Sequence, residues 1–341
     1  MGRQGRHRRP EARRGGQGRG GEVGRPGGRF QVVRILFFGT PAFAIPSLEA
    51  LLDGPDDLVG VISQPDRPRG RGQKPEETPV ARRSREAGAL VLQPEKLHEE
   101  STLAILRGLS PELIVTCAFG RLLRRPLLDL PPLGCLNVHA SLLPRHRGAS
   151  PIARSILEGD AWSGITIFRL DEGMDTGPIL IQRAERVLPD DTAETLGARL
   201  SLLGGVVLKE ACELIRERRD VYAPQPATGA TNAPPLEKED GLISWSRPAD
   251  QIERFVRAMI PWPVAATSAK GQPLRVLRAD LVDLVPRERP PGCLLSIAPA
   301  PIVAALPGCV RLRRVQPAGR REMDAGDWIR GARLAEGERF G

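Results

Sequence analysis

A chain of 341 residues, 40% of them hydrophobic, can build one large domain or two around a substantial core. No apolar run approaches the roughly twenty residues that span a bilayer, no signal-peptide core follows the N-terminus, and five widely spaced cysteines without a C-x-x-C pair argue against a zinc ribbon or a disulfide framework. The net charge of +9 points to a polyanionic partner, but residues 1–30 alone hold nine arginines against two glutamates, so a basic surface elsewhere needs local support.

Residues 1–29 contain ten glycines and no apolar period, which predicts a disordered tail. Three readings stand for it. It is an RNA-binding arm of RGG type, or an organelle transit peptide, or an over-extended start with the true N-terminus at Val33. The glycines oppose the transit peptide because they disfavour an amphipathic targeting helix, and the over-extended start is preferred. From 32 to 38 runs an apolar segment broken by one arginine, as a central parallel strand requires. Helices at 43–52, 79–87 and 102–109 then alternate with strands at 58–63, 90–93, 113–118 and 135–139. This β-α-β-α order predicts a doubly wound, mostly parallel α/β sheet. No G-x-G-x-x-G follows the first strand and no G-x-x-x-x-G-K-[ST] occurs, so dinucleotide and P-loop readings are weak.

The loop after the second strand, QPDRPRGRGQK at 64–74, carries Arg67, Arg69, Arg71 and Lys74 among prolines and glycines. It reads either as a solvated surface loop or as a set of phosphate contacts that position a nucleic acid. A short helix at 150–157 and strands at 164–170 and 179–187 follow, the strands flanking an acidic loop, DEGMDTG, at 171–177. That loop lacks EF-hand spacing, and a single Asp-Thr-Gly in an α/β context does not make an aspartic protease. A long helix is expected from 192 to 218, with Asp191 as N-cap and Leu196, Leu200, Leu203, Val207 and Leu214 on its apolar side. Residues 222–235, rich in proline, alanine and threonine, read as a linker. Beyond them come an amphipathic helix at 249–259 and five short β-like runs at 264–268, 274–277, 293–297, 302–305 and 310–315. These predict a small barrel, of which the OB-fold is one type, with Arg311, Arg313, Arg314, Arg320 and Arg321 making its last part basic.

The stretch GCLNVHASLLPRHRGASPI at 134–152 organises the rest. Cys135, Asn137 and His139 alternate with Leu136 and Val138, so in a strand the amide and the imidazole share one face. They lie near a carboxyl end, where ligands sit in open α/β sheets. With a carboxylate from 171–177 they would make an acid–base site at the ends of the strands. The alternative is that Asn137 merely ends the strand and His139 is a satisfied, half-buried histidine.

Taken together, GTPAFAIPSLEALL, the basic loop, LNVHASLLPRHRGASPI, LDEGMDTG, KEDGLISW, PWP and VQPAGRREM resemble the methionyl-tRNA formyltransferase family, from about Val33 to the end. The NVH, SLLP and DTG motifs alone would indicate only the wider folate formyltransferase superfamily. The resemblance implies a formyltransferase-like sheet domain at 33–218, a linker at 219–235 and an OB-like tRNA-binding barrel at 236–341, after a tail at 1–32. It implies transfer of a formyl group from 10-formyltetrahydrofolate, without a metal, to the α-amine of methionine on initiator tRNA, by a cytoplasmic bacterial monomer. Asn137, His139 and Asp175 match the family's catalytic trio; Cys135 gains no role and is expected buried. Ser141, Leu142, Leu143 and Pro144 match the segment lining the folate pocket, and Arg67, Arg69, Arg71 and Lys74 match the loop entering the tRNA acceptor end. Three residues depart from the pattern: His146 replaces an aromatic residue, Pro235 a lysine and Ser244 an aspartate. The alternatives are a formyltransferase for another amine and an RNA-binding protein without catalysis.

Overall fold

The computed structural model describes residues 1–2, 31–69, 74–283 and 289–341. The tail readings at 3–30, together with Arg71 of the basic loop, lie outside the described residues. In chain order the first part consists of β1 (Arg34–Gly39), α1 (Ile45–Leu52), β2 (Asp57–Ile62), β3 (Arg67–Arg69), β4 (Lys74–Glu76), α2 (Pro79–Glu86), β5 (Val91–Leu92) and α3 (Glu100–Gly108). Then come β6 (Leu113–Cys117), β7 (Cys135–His139), α4 (Pro151–Leu157), β8 (Trp162–Arg169), β9 (Ile179–Arg186) and α5 (Ala193–Arg216). Seven strands form one sheet in the order β5-β2-β1-β6-β7-β8-β9. The first five are parallel, whereas β8 and β9 join antiparallel. The basic loop is itself a two-stranded hairpin of β3 and β4.

Side-chain alternation along the central strands divides the core in two. Ile35 and Phe37 of β1, Val115 of β6 and Val138 of β7 point to the layer covered by α1 and α5. Leu36, Phe38, Ile114 and Cys135 point to the opposite layer with Leu106 and Leu127. The helices lie close on the first face. A Cβ at Gly205 of α5 would stand 2.6 Å from the carbonyl oxygen of Pro46, so α5 reaches α1 only because glycine is there. The expected cap of α5 is off by one residue. Thr192, not Asp191, accepts the N–H of Thr195, while the Asp191 carboxylate accepts the Leu188 N–H and pairs with Arg199.

The second part comprises α6 (Ala249–Ala258), β10 (Ala266–Ala269), β11 (Gln272–Val282), β12 (Leu294–Ser296), β13 (Ile302–Ala304), β14 (Cys309–Pro317), β15 (Met323–Asp324) and α7 (Ala325–Ala332). Its antiparallel sheet runs β10-β11-β14-β13-β12, with β15 on β14. The end of the chain bridges both outer strands: Phe340 pairs with Ala269 and Arg339 with Cys293. Phe340 also packs edge-on to Trp245 and Trp328. The five expected strands are all present; β15 and α7 are additional. The two parts share one core, with Arg257 of α6 donating to the Asp191 carbonyl at 2.8 Å and Glu194 N–H to that of Ile260 at 3.1 Å.

Residues 222–233, expected as a linker, run as a strap along the first domain. Ala223 pairs with Ile179 at the start of β9, and Arg147 exchanges backbone hydrogen bonds with Thr231 and Ala233.

Candidate active site

β7 is the last parallel strand, and its carboxyl end delivers Asn137 and His139 to one face, as the alternation predicts. Cys135 shares that face and is buried. Thr116, adjacent on β6 and in register with Asn137, donates its hydroxyl proton to Asn137 Oδ1 at 2.7 Å. That bond leaves the Asn137 NH2 toward the cavity, without a partner among the described residues. His139 is 5% exposed, lies edge-on to Phe168, and places Nε2 3.0 Å from the backbone carbonyl of His146. A carbonyl can only accept, so Nε2 carries the proton and Nδ1 of the neutral ring keeps its lone pair. Burial pushes the His139 pKa below the usual imidazole value, although Asp175 and the His146 carbonyl oppose it. The imidazole is therefore neutral near pH 7.

The carboxylate does come from the loop after a neighbouring strand, as the sequence suggested, but that loop does not start at the carboxyl end of β7. β8 runs antiparallel to β7, so Arg169 pairs with Leu136 and the acidic loop leaves from the far end of β7. The loop then folds back along the face, and Asp175 Oδ2 reaches 3.6 Å from His139 Nδ1. The same oxygen accepts the Gly148 N–H at 2.7 Å. Gln225 of the strap donates to the carbonyls of Asp175 and Gly177, each at 2.8 Å.

These groups open on a cavity of about 590 Å³. Its walls are Thr116, the segment Ala118–Leu123, Asn137–Ala140, Gly148, Ala149, Pro151, Ile152 and the acidic loop, with Phe43 and Leu170. The volume falls in the range of roughly 300–1,000 Å³ typical of small-molecule sites, and Phe119, Leu122, Leu123 and Met174 offer an apolar lining for a flat ring system. Ser141, Leu142, Leu143 and Pro144 do not line this cavity. They form the turn behind its wall, where Thr166 of β8 donates to the Ser141 carbonyl at 2.6 Å and accepts the Leu143 N–H at 3.2 Å. Gln182 of β9 completes the support by donating to the Leu143 carbonyl at 2.9 Å.

His146 is 2% exposed and puts Nε2 2.7 Å from Asp160 Oδ2. Burial lowers its pKa, with Asp160 opposing. Burial pushes Asp160 up, but hydrogen bonds from Arg145 and His146 hold it below the usual carboxylate value overall. Arg67 is exposed on the β3–β4 hairpin, and the backbones of Arg69 and Lys74 are in register across it. On the second domain Arg313 pairs with Asp280 and Arg314 with Glu322, while Arg320 and Arg321 are exposed. Thr116, Gln182 and Gln225 were not anticipated. Each acts through a partner at least sixteen residues distant, and no local pattern marks such a contact. Among the described residues no cluster of three or more His, Cys, Asp or Glu side chains is arranged to hold a metal ion.

Residues 33–212 match the family model for formyl transferase, and residues 235–333 match that for the formyl transferase C-terminal domain. The fold is similar to that of a sugar 3N-formyl transferase solved with dTDP and 5-N-formyl-THF (TM-score 0.63, 16% identity, covering 85% of this chain and 100% of that one). It is also similar to the methionyl-tRNA formyltransferase from Clostridium thermocellum (TM-score 0.52, 16% identity, 74% of this chain and 95% of that one). The two family-model matches thus define a two-domain formyltransferase. In sequence the chain is 43% identical to a methionyl-tRNA formyltransferase of Magnetococcus marinus over 90% of this chain and 98% of that protein. It is 42% identical to that of Thermus thermophilus over 91% and 99%. The chain belongs to the methionyl-tRNA formyltransferase family.

Proposed function

We propose that the chain transfers the formyl group of 10-formyltetrahydrofolate to the α-amino group of methionine on initiator tRNA, as a cytoplasmic monomer, and that Asn137, His139 and Asp175 carry the chemistry. The observation that supports this most directly is the convergence of one free amide NH2, one imidazole lone pair and one carboxylate on a single cavity. The amine attacks the formyl carbon and a tetrahedral oxyanion forms. The Asn137 NH2, whose Oδ1 is already engaged by Thr116, donates to that oxygen. His139 Nδ1 accepts the proton that the amine must lose, and the imidazolium formed is stabilised by Asp175 at 3.6 Å. The same proton then goes to the departing folate nitrogen. A neutral resting His139 suits this task, since a protonated ring could not accept.

The formyl donor occupies the cavity walled by Phe119–Leu123 and Met174, and Ser141–Pro144 act as the braced turn that fixes the wall rather than as the wall itself. Arg67, Arg69, Arg71 and Lys74 of the basic sequence 64–74 contact acceptor-end phosphates. The exposed Arg320 and Arg321 add positive charge on the second domain. Binding through phosphates weakens steeply as salt rises, so the KM for tRNA should climb with ionic strength while that for the folate stays level.

The test is a formylation assay with 10-formyltetrahydrofolate and methionylated initiator tRNA, using protein with and without residues 1–32. Free methionine and elongator Met-tRNA are the controls. Transfer to the initiator tRNA alone is expected from both proteins. Folate binding with no transfer to any tRNA would move the reading to a formyltransferase for a different amine.

A further inference from the structure

We infer that Gln225, in the strap between the two domains, is a positioning residue for Asp175 and through it for His139; this rests on the formyl-transfer reading above. Asp175 has φ +53°, in the left-handed region that is costly for a residue with a side chain. Its loop is largely exposed: Asp171, Glu172, Gly173, Met174 and Thr176 all face solvent. Asp171 accepts from Gly173 N–H and from Thr176 Oγ1, which closes the turn without tying it to the rest of the protein. The exposed ion pair of Glu172 with Arg125 at 2.9 Å contributes little in water.

The firm tethers come from elsewhere. Gly148 N–H holds the Asp175 carboxylate, and Gln225 holds the backbone. The two amide hydrogens of Gln225 Nε2 satisfy the Asp175 and Gly177 carbonyls together, each at 2.8 Å. Gln225 Oε1 accepts from Arg147 Nε and Nη2 at 3.1 and 2.7 Å. A flip of the amide would set its NH2 against a guanidinium and its oxygen against two carbonyls, so the orientation is locked. Arg147 is in turn pinned by its backbone pairing with Thr231 and Ala233. The interdomain segment therefore grips the catalytic loop with one side chain whose both ends are engaged.

Asp175 acts mainly on the imidazolium that forms in the transition state, so releasing its loop should lower kcat; Met174 of the same loop lines the donor cavity, so the folate KM should rise with it, while tRNA binding is left alone. Gln225→Ala and Gln225→Glu in the full chain test this. Glutamate keeps the length and the Arg147 contact but has no hydrogen to give. Both variants should lose about 10- to 100-fold in kcat, with the KM for tRNA within about twofold. NMR of the imidazoles should show His139 titrating lower than in the wild type, because the charge that raises it has moved away. Wild-type rates for Gln225→Glu would overturn the inference, and so would a raised tRNA KM at unchanged kcat. A lowered kcat with an unmoved His139 titration would reduce Gln225 to a general structural role. If Gln225→Ala does not fold, Gln225→Glu carries the test. If the wild-type protein transfers no formyl group, the functional reading fails, while the His139 titration still tests the clamp by itself.

Discussion

Replacing Thr116 by valine isolates what fixes the Asn137 amide. Thr116 is 4% exposed, and valine has nearly its shape, so the change removes a hydroxyl and leaves the packing. The lost contact is the 2.7 Å bond to Asn137 Oδ1. A net side-chain hydrogen bond is worth about 0.5–1.5 kcal/mol, and this sets the bias that keeps the NH2, rather than the oxygen, toward the cavity. Since a tenfold rate change corresponds to about 1.4 kcal/mol, kcat should fall about two- to tenfold. Asn137→Ala removes the donor itself and should cost about 10²–10³. The assay is kcat at saturating folate and Met-tRNA, with a thermal melt to register a loss of about 1 kcal/mol in stability. Thr116→Ser should keep the rate. The reasoning is refuted if Thr116→Val turns over at the wild-type rate. The single hydroxyl proton would then go to the Leu136 carbonyl at 3.1 Å and orient nothing. It fails in the other direction if the valine variant is as slow as Asn137→Ala.

His139→Ala should lose about 10²–10⁴ in turnover and leave tRNA affinity in a filter-binding assay unchanged; equal loss of both would make His139 an anchor for tRNA. Burial holds His139 and His146 below the ordinary value of about 6.5 in the folded protein. The unfolded chain then binds more protons below that value, so stability is full above it and falls as pH drops from about 7 toward 5. A urea midpoint that rises on acidification from pH 7.5 to 5.5 would contradict the two assignments. Gly148→Ala should be destabilising by about 1–3 kcal/mol or more. Gly148 has φ +123°, and a Cβ would stand 2.5 Å from the Ala233 carbonyl oxygen. Its N–H holds Asp175, so kcat should fall with Tm; an unchanged melt would mean that the strap yields.

What the sequence revealed follows from the range of each signal. β1 and β6 are buried on both faces, so their apolar runs stand out without reference to neighbours. The shared face of Asn137 and His139 follows from strand alternation within five residues. The α5 cap is also local, and it went to the wrong residue because Asp191 and Thr192 are both cap formers; Arg199, a full two turns on, claims the aspartate. α7 was overlooked because two glycines in AGDWIRGA weaken its helical pattern, although Asp324 caps it by accepting from Gly326 and Asp327.

The direction of β8 is different in kind. Nothing in the pattern of 162–169 says whether the strand lies parallel or antiparallel to β7, yet that choice sends the acidic loop to the far end and makes it fold back. A loop that returns over a sheet face has no ladder to hold it, so the Asp175 carboxylate it carries needs restraints from other segments. They come from Gly148, ahead of β8, and from Gln225, fifty residues beyond Asp175 in a stretch whose composition reads as a spacer. The antiparallel edge of the sheet and the ordered strap are thus linked: the first creates an untethered loop, and the second supplies its tether. Deleting residues within 226–230 should test that link, because shortening the strap would pull Gln225 and Thr231 against one another while touching none of Asn137, His139 and Asp175. A tenfold or greater loss of kcat is expected; a fully active deletion would show that the strap is only a connection between domains.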